Sequence, residues 1–232
     1  MLKLHTYDII ASAVMAVKNF SREQGFPVHG AVYSNWGAGK TVACKQVKQS
    51  IPDVFYLKAP VRNIEPSGLL REILLCLGIG AGRGYANNYD LLTRVLSAKG
   101  IVQPVLLIDE AQILFTKPTL LSFLKDLSED PEIGFVYVFI GDDRLKTLVK
   151  TGRHSIVKRI RVKKEIPSIT QETVEKLIQY HELEADEDIF ETAKEFKAST
   201  IDVDFALYLA KKADIKQLNK KLFKAFLKKA ME

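Results

Sequence analysis

The sequence predicts an α/β protein, with a mainly parallel sheet flanked by helices and followed by a small all-helical domain. Three features of the sequence lead to this prediction. Short apolar runs alternate with segments of helical periodicity up to about residue 166. A glycine-rich turn joins the first apolar run to the helix that follows it. Beyond Pro167 the apolar residues recur only with helical spacing, so we expect two domains, 1–166 and 167–232.

Five apolar runs in the first domain are predicted to form the strands of the sheet. They cover residues 28–33, 54–57, 102–108, 134–140 and 160–162. Helices are predicted over residues 7–24, 40–49, 66–77, 89–98, 118–127 and 144–150. Strands that alternate with helices in this way are typical of a parallel sheet, because each parallel pair needs a crossover connection.

Four helices are predicted in the second domain. Ser168 and Gln171 have the spacing of a capping box, which predicts that the first of these helices begins there. The apolar positions of the four helices, in chain order, are Val174, Leu177 and Ile178; Ile189, Phe190, Ala193 and Phe196; residues 205–213; and Ile215, Leu218, Leu222 and Phe226. We expect the last helix to pack through this apolar face with its lysines outward, and a contact with a partner is the alternative.

The composition is that of an ordinary globular protein. Hydrophobic residues make up 47% and charged residues 27% of the chain, which excludes a disordered chain and a polytopic membrane protein. Two cysteines and four scattered histidines form neither a disulfide framework nor a zinc site, so a reducing, cytoplasmic setting is expected. The apolar run 9–17 is too short to span a bilayer, and no membrane partner is expected.

The basic residues are clustered in two segments. The net charge is +6, from 34 basic and 28 acidic residues. Between Arg144 and Lys164 there are nine Lys or Arg and no acid, and between Lys211 and Glu232 there are eight Lys and two acids. Such clustering favours a polyanionic partner, whereas a solvated helix face is the alternative interpretation.

The glycine-rich turn after the first predicted strand has the pattern of a phosphate-binding loop, ending in Gly39-Lys40-Thr41. Glycines are needed there because successive backbone N–H groups must point inward around the phosphates, and a Cβ would crowd them. We expect Lys40 to reach the β- and γ-phosphates and Thr41 to hold Mg²⁺. Ser34 departs from the motif, which has glycine at that position. The predicted nucleotide-binding residues are Ser34, Asn35, Trp36, Gly37, Ala38, Gly39, Lys40, Thr41 and Val42.

An acidic pair, Asp109 and Glu110, ends the most strand-like run of the chain. In open α/β sheets the carboxyl ends of the strands are where ligands bind. We expect Asp109 to join Thr41 in the Mg²⁺ coordination shell, and Glu110 to polarise the attacking water as a general base. The loop and the acidic pair together indicate a P-loop NTPase that uses ATP and Mg²⁺. GTP is disfavoured because no Asn-Lys-x-Asp follows a strand.

These motifs resemble those of AAA+ ATPases, in particular the transposition regulators: the phage Mu B protein and its relatives in Tn7-like transposons. The residues that carry the resemblance are 35–41, 107–112 and 139–143. The resemblance extends over nearly the whole chain and implies the AAA+ fold, a five-stranded mainly parallel sheet followed by a helical lid. The chain is also similar to origin initiators and secretion-linked ATPases of the same clade. Initiators usually append a winged-helix domain, for which we expect no room in this sequence.

The resemblance implies roles for residues outside the two motifs. Asp142, the polar residue after the fourth strand, takes the place of sensor 1. Arg159 takes the place of the arginine finger, which acts on ATP bound to a neighbouring subunit, and Arg153 is the second candidate. Solvation or a DNA contact is the alternative role of these arginines. Asp204 occupies the position of the usual lid arginine, so we expect nucleotide sensing to rely on the subunit interface.

The resemblance also implies binding to double-stranded DNA, assembly into a homo-oligomeric ring or filament, and contact with a transposase. The implied DNA contacts are Arg83, Arg94 and Lys117, with weak sequence preference. The aromatic side chains between Tyr85 and Tyr89 either stack on bases or pack within the fold. Two other functions stay open: a nucleotide-switched adaptor for protein assembly or secretion without a DNA role, and a replication initiator or helicase loader.

Overall fold

The computed structural model describes residues 4–62, 64–82 and 84–231. Arg83, one of the predicted DNA contacts, lies outside the described residues. The chain divides into two compact units. The first, the sheet unit, comprises residues 10–33 and 44–165. The second, the loop–lid unit, comprises 1–9, 34–43 and 166–232, so it joins the carboxyl-terminal segment with two earlier parts of the chain.

Five parallel strands form the centre of the sheet unit. The strands are β1 (His29–Tyr33), β2 (Val54–Lys58), β3 (Val105–Asp109), β4 (Val136–Gly141) and β5 (Ile160–Glu165). Their order is β2-β3-β4-β1-β5, and every neighbouring pair is parallel. The predicted five-stranded α/β fold is therefore confirmed. All five strands end at the same edge of the sheet, because they run in the same direction.

The helices in and around the sheet unit follow its strands along the chain. They are α1 (His5–Gln24), α2 (Lys40–Ser50), α3 (Pro66–Cys76), α4 (Tyr85–Ala98), α5 (Gln112–Phe115), α6 (Pro118–Glu129), α7 (Asp143–Thr151) and α8 (Ser155–Lys158). The first turns of α1 and α2 belong to the loop–lid unit. Every residue of β3 and β4 is buried, so both faces of the central strands are covered. No described helix is long and apolar enough to cross a membrane.

Several element boundaries differ from the prediction for identifiable reasons. Strand β3 begins at Val105 rather than at residue 102, because Pro104 has no N–H to donate and Val102 is exposed. Strand β5 extends beyond the predicted residue 162, since alternate residues are buried and exposed as in a half-buried edge strand. Helix α4 begins at Tyr85 rather than at residue 89. The four-residue helices α5 and α8 were too short to predict from periodicity.

The loop–lid unit contains four helices and a two-residue strand pair among its described residues. These are α9 (Gln171–Tyr180), β6 (Glu184–Ala185), α10 (Ile189–Glu195), α11 (Thr200–Lys212), β7 (Gln217–Leu218) and α12 (Lys220–Met231). Strands β6 and β7 pair in parallel, which the sequence did not predict. Apolar side chains from all four helices form one core. In the lysine-rich α12 the predicted Leu222 and Phe226 pack against this core, which confirms that the helix packs through an apolar face. Its fully buried residues are Phe223 and Leu227, which the prediction did not include.

The predicted start of the first lid helix is wrong. The N-cap of α9 is Thr170, whose hydroxyl accepts from the Thr173 N–H at 3.2 Å, and Ser168 precedes the helix. A complete capping box occurs instead at Ser199 and Asp202, so α11 begins five residues before the predicted residue 205. Ile215 and Leu218 also precede the helix to which they were assigned, and Leu218 lies in β7.

A histidine lies in the core of the sheet unit. His29 is fully buried, and its ring centroid lies 5.0 Å from that of Tyr137 and 6.3 Å from that of Phe139. Its Nδ1 accepts from the Tyr137 N–H at 3.2 Å, which places the proton on Nε2. Nε2 has no hydrogen-bond partner within the described part of the chain. Burial, and then the charge of Arg159, lower the pKa of His29 to about 3.

We predict that His29→Asn makes stability less dependent on pH. Unfolded histidine takes up a proton near pH 6.5, whereas folded His29 stays neutral down to about pH 3. In that window the unfolded state binds more protons, so this group lowers the free energy of unfolding by up to about 1.4 kcal/mol per unit of falling pH. Urea titrations of both proteins at several pH values between 7 and 4 measure the difference. Equal slopes for wild type and variant would contradict this assignment.

Candidate functional site

The glycine-rich loop follows β1 directly and ends where α2 begins at Lys40. Gly37 and Gly39 have φ angles of +82° and +73°, a conformation that strains residues with a Cβ. The Gly39 carbonyl accepts from the Ala43 N–H at 3.0 Å and so closes the first turn of α2. The loop therefore presents backbone N–H groups at a helix N-terminus, which is the usual arrangement of an anion-binding site.

Lys40 lies across the loop that precedes it. Its Nζ donates to the carbonyl oxygens of Ser34 and Asn35, at 3.2 and 3.0 Å, and to Ser34 Oγ at 3.1 Å. Ser34 is buried, and its hydroxyl donates in turn to the Asn35 carbonyl at 3.0 Å. The serine that replaces the first glycine of the motif therefore adds an acceptor for the lysine ammonium. The departure from the motif is compatible with the loop geometry.

The outer side of the loop contacts two other parts of the loop–lid unit. The Thr6 hydroxyl, in the first turn of α1, donates to the Ala38 carbonyl at 2.7 Å. The Ile201 N–H, in the first turn of α11, donates to the Gly37 carbonyl at 3.2 Å. A Cβ added to Gly37 would lie 2.3 Å from Ser199 Oγ, so the loop is packed closely against α11. Trp36, the only tryptophan of the chain, is 78% exposed.

Asp109 ends β3 as a buried carboxylate that accepts hydrogen bonds from its neighbours. Its Oδ2 accepts from the Tyr56 hydroxyl at 3.0 Å, and its Oδ1 accepts from the Glu110 N–H at 3.0 Å. Tyr56 lies on β2, which pairs with β3 in parallel. Burial, and then the adjacent Asp109 carboxylate, raise the pKa of Tyr56, so the phenol remains a donor. Sequence reasoning missed Tyr56, since it contacts Asp109 only through strand pairing.

Glu110 is held in an unusual backbone conformation. Its φ is +56°, in the left-handed region, at a cost of about 1–2 kcal/mol for a residue with a Cβ. Its Oε2 accepts from Gln112 Nε2 at 2.5 Å. A Cβ on Gly141, at the end of β4, would lie 2.3 Å from Gln112 Oε1, so glycine makes room for this amide. Gln112, which the motif analysis left without a role, therefore orients the predicted general base.

Asp142 caps α7 and forms an ion pair. Its carboxylate accepts from the Arg144 N–H at 2.9 Å and lies 2.6 Å from the Arg144 guanidinium. Burial opposes ionisation of Asp142, but the hydrogen bonds from Arg144 outweigh burial, so the pKa of Asp142 lies below its ordinary value. Asp142 and then Glu110 raise the pKa of Arg144, which places its guanidinium within the electrostatic reach of both carboxylates.

The two arginine-finger candidates differ in their surroundings. Arg159 is partly buried and forms an ion pair with Glu129, at the end of α6. Its carbonyl also accepts from the His29 N–H at 2.9 Å. Arg153 is exposed and has no ion pair with any residue that the structure describes. The two positions flank α8 in the chain, and of the two only Arg159 pairs with a carboxylate among the residues that the structure describes.

The basic segment 144–164 belongs to the sheet unit, and most of it has no acidic partner. Arg144, Lys146 and Arg159 are paired with Asp142, Glu165 and Glu129. The other six residues form no ion pair within the described residues; they are Lys150, Arg153, Lys158, Arg161, Lys163 and Lys164. The segment therefore has the surplus positive charge that the sequence predicted.

Two of the three predicted DNA contacts, Arg94 and Lys117, lie among the described residues of the sheet unit. Arg94 is exposed on α4, and Lys117, just before α6, donates to the Arg62 carbonyl at 3.4 Å. The rings of Tyr85 and Tyr89 lie 6.0 Å apart, and Tyr85 also packs edge-on against Phe123. The packing interpretation of these aromatic side chains is therefore the one that the contacts support.

The strand that leads into the loop and the strand that ends in the acidic pair lie close together in the sheet. Strand β4 pairs with β1 on one side and with β3 on the other. Tyr33, the last residue of β1, is opposite Gly141, and Ile108 is opposite Phe139. At about 4.8 Å between neighbouring strands, the ends of β1 and β3 are about 10 Å apart at one edge.

Comparison with known protein families identifies this chain. The family described as AAA domain matches residues 28–149, from β1 through α7 and thus across both motifs. The chain belongs to the AAA domain family. A comparison of this AAA domain with curated proteins gave no match.

Solved structures share the fold of this AAA domain at low sequence identity. The ORC2 protein of Aeropyrum pernix matches with a TM-score of 0.70 and 15% identity, over 98% of this chain and 68% of that one. The ORC1 protein of the same organism, in complex with DNA, matches with a TM-score of 0.64 and 15% identity, over 98% and 66%. A RuvB mutant of Thermotoga maritima matches with a TM-score of 0.53 and 14% identity, over 97% and 68%. The AAA domain thus spans about two thirds of these proteins.

We predict that Gly37→Ala destabilises this AAA domain more than Gly39→Ala. Both residues have positive φ, which costs a residue with a Cβ about 1–2 kcal/mol. Only at Gly37 would the Cβ also clash with Ser199, which adds at least about 1 kcal/mol, whereas nothing lies within 4 Å of a Cβ on Gly39. Urea unfolding followed by circular dichroism measures both losses. Equal losses would contradict the close packing of the loop against α11.

Proposed function

We propose that this AAA domain binds and hydrolyses ATP with Mg²⁺ and uses the ATP-bound state to assemble on double-stranded DNA. The observation that supports the proposal is that β1, which leads into the glycine-rich loop, and β3, which ends in the acidic pair, finish at one edge of the sheet. The glycine-rich loop follows β1, and Asp109 and Glu110 end β3, two strands away. Ligands of open α/β sheets bind at this edge.

In this proposal the loop binds the phosphates and shares the metal with β3. The N–H groups of 34–42 surround the phosphates, Lys40 exchanges its contacts with Ser34 and Asn35 for phosphate oxygens, and Thr41 and Asp109 hold Mg²⁺. No cluster of three or more His, Cys, Asp or Glu among the described residues forms a metal site by itself. The Thr41 hydroxyl and the Asp109 carboxylate are donors that fit Mg²⁺, which takes one or two protein oxygens and completes its coordination shell with phosphates and water. When bound, the ion neutralises charge that develops on the phosphates.

Glu110 acts as the general base in this proposal. Its strained backbone and its hydrogen bond with Gln112 hold the carboxylate in one orientation, which is what a base needs to accept a proton from water. Asp142 takes the sensor position with Arg144 beside it. Arg144 would offset the repulsion between Asp142 and a γ-phosphate, because its guanidinium pairs with the Asp142 carboxylate and would also attract phosphate.

Assembly would place an arginine of one copy on the ATP of the next. Arg159 takes this role by exchanging Glu129 for phosphate, and Arg153 is the alternative that breaks no ion pair. A nucleotide shared between copies stabilises the assembly, since the free energy of binding then adds to that of association.

DNA binding is supported by the charge of the basic segment. Six of its nine basic residues have no ion pair within the described residues. Together with Arg83, Arg94 and Lys117 they supply a sequence-independent attraction to phosphates. A structural neighbour, the ORC1 protein, was solved in complex with DNA.

The finer proposal is that the assembly marks target sites for a transposase and recruits it. It is supported by the resemblance of 35–41, 107–112 and 139–143 to transposition regulators. The second candidate is a replication initiator or helicase loader, which the fold similarity to two ORC proteins and a Cdc6 protein favours. Recruitment of a transposase, or of a replicative helicase, to nucleotide-loaded protein on duplex DNA discriminates between the two.

We predict that Lys40→Ala abolishes nucleotide binding, whereas Glu110→Gln preserves binding and stops turnover. The first variant loses the cation that meets the phosphates, and its Kd for ATP rises by about 100-fold or more. The second keeps the size of the side chain but loses the base, so kcat falls by about 100-fold or more. Calorimetry and phosphate release measure the two effects. Normal turnover by Glu110→Gln would show that Glu110 is not the base.

We predict that duplex DNA binding weakens steeply with salt and depends on the basic segment. The double variant Arg161→Gln, Lys163→Gln loses two phosphate contacts, so the slope of log K against log salt falls by about 1.8. The double variant Lys194→Gln, Lys197→Gln removes the same charge from the loop–lid unit and leaves the slope unchanged. Fluorescence anisotropy of a labelled duplex measures the slopes. Absence of binding at low salt would favour the protein-assembly adaptor without a DNA role.

A further inference from the structure

Two carbonyl oxygens at the centre of the loop accept hydrogen bonds from residues outside the loop. The Gly37 carbonyl accepts from the Ile201 N–H at 3.2 Å, and the Ala38 carbonyl accepts from the Thr6 hydroxyl at 2.7 Å. All peptide bonds of the described chain are trans. In a planar trans peptide the C=O and the N–H point in opposite directions. A bond that fixes the Gly37 and Ala38 carbonyls therefore also fixes the direction of the Ala38 and Gly39 N–H groups.

We propose that Thr6 and the first turn of α11 are positioning elements that aim the Ala38 and Gly39 N–H groups at the phosphates. Neither element belongs to the sequence motif, and neither touches the nucleotide in this proposal. They act through the loop backbone, from the side opposite to the phosphates. The inference rests on the proposed nucleotide binding and adds how the loop is held ready for it.

The first turn of α11 is well suited to this role. The N–H groups of a first helical turn have no partner within the helix. In α11, Ser199 Oγ accepts from the Asp202 N–H at 3.2 Å, and the loop carbonyl of Gly37 satisfies the Ile201 N–H. The Asp202 carboxylate in turn accepts a hydrogen bond from the Ser199 N–H at 2.7 Å. The two hydrogen bonds between Ser199 and Asp202 hold the first turn of α11 in place. The Ile201 N–H of that turn then holds the Gly37 carbonyl of the loop.

This contact also gives the lid a way to respond to nucleotide without a lid arginine. Asp204, at the position of the usual arginine, has a carboxylate whose Oδ1 lies 2.8 Å from His181 Nε2. The backbone bond from Ile201 to the loop replaces a side chain as the link. A rotation of α11 turns the peptide between Gly37 and Ala38, and an anion that binds the Ala38 N–H restrains α11 in return.

Thr6 offers a conservative test. It is buried, and its hydroxyl is the donor to Ala38. Thr6→Val keeps the shape of the side chain and removes the donor, whereas Thr6→Ser keeps the donor. We expect Thr6→Val to raise the Kd for ADP and for a non-hydrolysable ATP analogue by about 3- to 10-fold, the effect of one hydrogen bond. Thr6→Ser should restore the wild-type Kd to within about twofold, as measured by calorimetry and by Trp36 fluorescence.

A pair of cap variants tests the second element. Ser199→Ala removes the cap of α11, and Asn219→Ala removes the matching bond before α12, where Asn219 Oδ1 accepts from the Leu222 N–H at 3.0 Å. Each variant loses one helix cap in the loop–lid unit. The two helices differ in that the first turn of α11 donates a hydrogen bond to the loop. We expect Ser199→Ala to raise the Kd for ADP by about 3- to 10-fold and Asn219→Ala to leave it unchanged. Equal Kd values for all variants and wild type would overturn the proposal.

A measurement on the wild type covers the case in which a variant does not fold. The scalar coupling across the hydrogen bond from the Ile201 N–H to the Gly37 carbonyl is observable by NMR. We expect this coupling in the free protein and in the ADP complex. Its absence from the ADP complex would overturn the positioning role while leaving nucleotide binding intact. Failure of the wild type to bind ADP or the ATP analogue would overturn the proposed function and this inference with it.

Discussion

Parallel pairing of five strands is the constraint on which the candidate site depends. Because all strands run in one direction, their carboxyl ends share one edge of the sheet. Strand β3 is apolar from Val105 to Ile108, and its first polar residue is Asp109. One position earlier, the carboxylate would lie in the core without donors, at a cost of several kcal/mol. At its actual position it reaches Tyr56 on the neighbouring strand.

Two locally unfavourable features of the sheet unit lie at this edge, close to the acidic pair in the chain. Glu110 has a left-handed backbone, and Gln112 has an amide oxygen without a hydrogen-bond partner among the described residues. A glycine at the end of β4 makes room for that amide. Each feature costs free energy, and each is tolerated because the buried strands around it are stable. Their concentration beside the acidic pair is what a pre-organised site requires, since groups held in place need no rearrangement when a ligand arrives.

Sequence reasoning could propose only those parts of the candidate site that are local in the chain. The glycine-rich loop and the acidic pair are short contiguous patterns between a strand and a helix, so residues 34–42, Asp109 and Glu110 are readable from spacing. Spacing does not reveal Tyr56, Thr6 or Ile201. Each of them contacts its partner through tertiary packing, and the partner lies more than thirty residues away in the chain. Ser199 and Asp202 are an intermediate case. Their Ser-x-x-Asp spacing is the signature of a cap, but the apolar pattern that begins at residue 205 placed the helix start too late.

Arg159, which the resemblance assigns to the arginine-finger position, has a partner in the structure that the sequence did not predict. Its pairing with Glu129 joins the residue between α8 and β5 to the end of α6, and both side chains are about one third exposed. Ion pairs between side chains that are this exposed to solvent contribute at most about 1 kcal/mol to the free energy of unfolding. A nucleoside triphosphate with its Mg²⁺ still carries net negative charge, and a bidentate guanidinium–phosphate contact is stronger than a solvated carboxylate pair. In the proposed assembly, Glu129 would therefore keep Arg159 ordered in the single chain and still let a neighbouring copy's nucleotide compete for it.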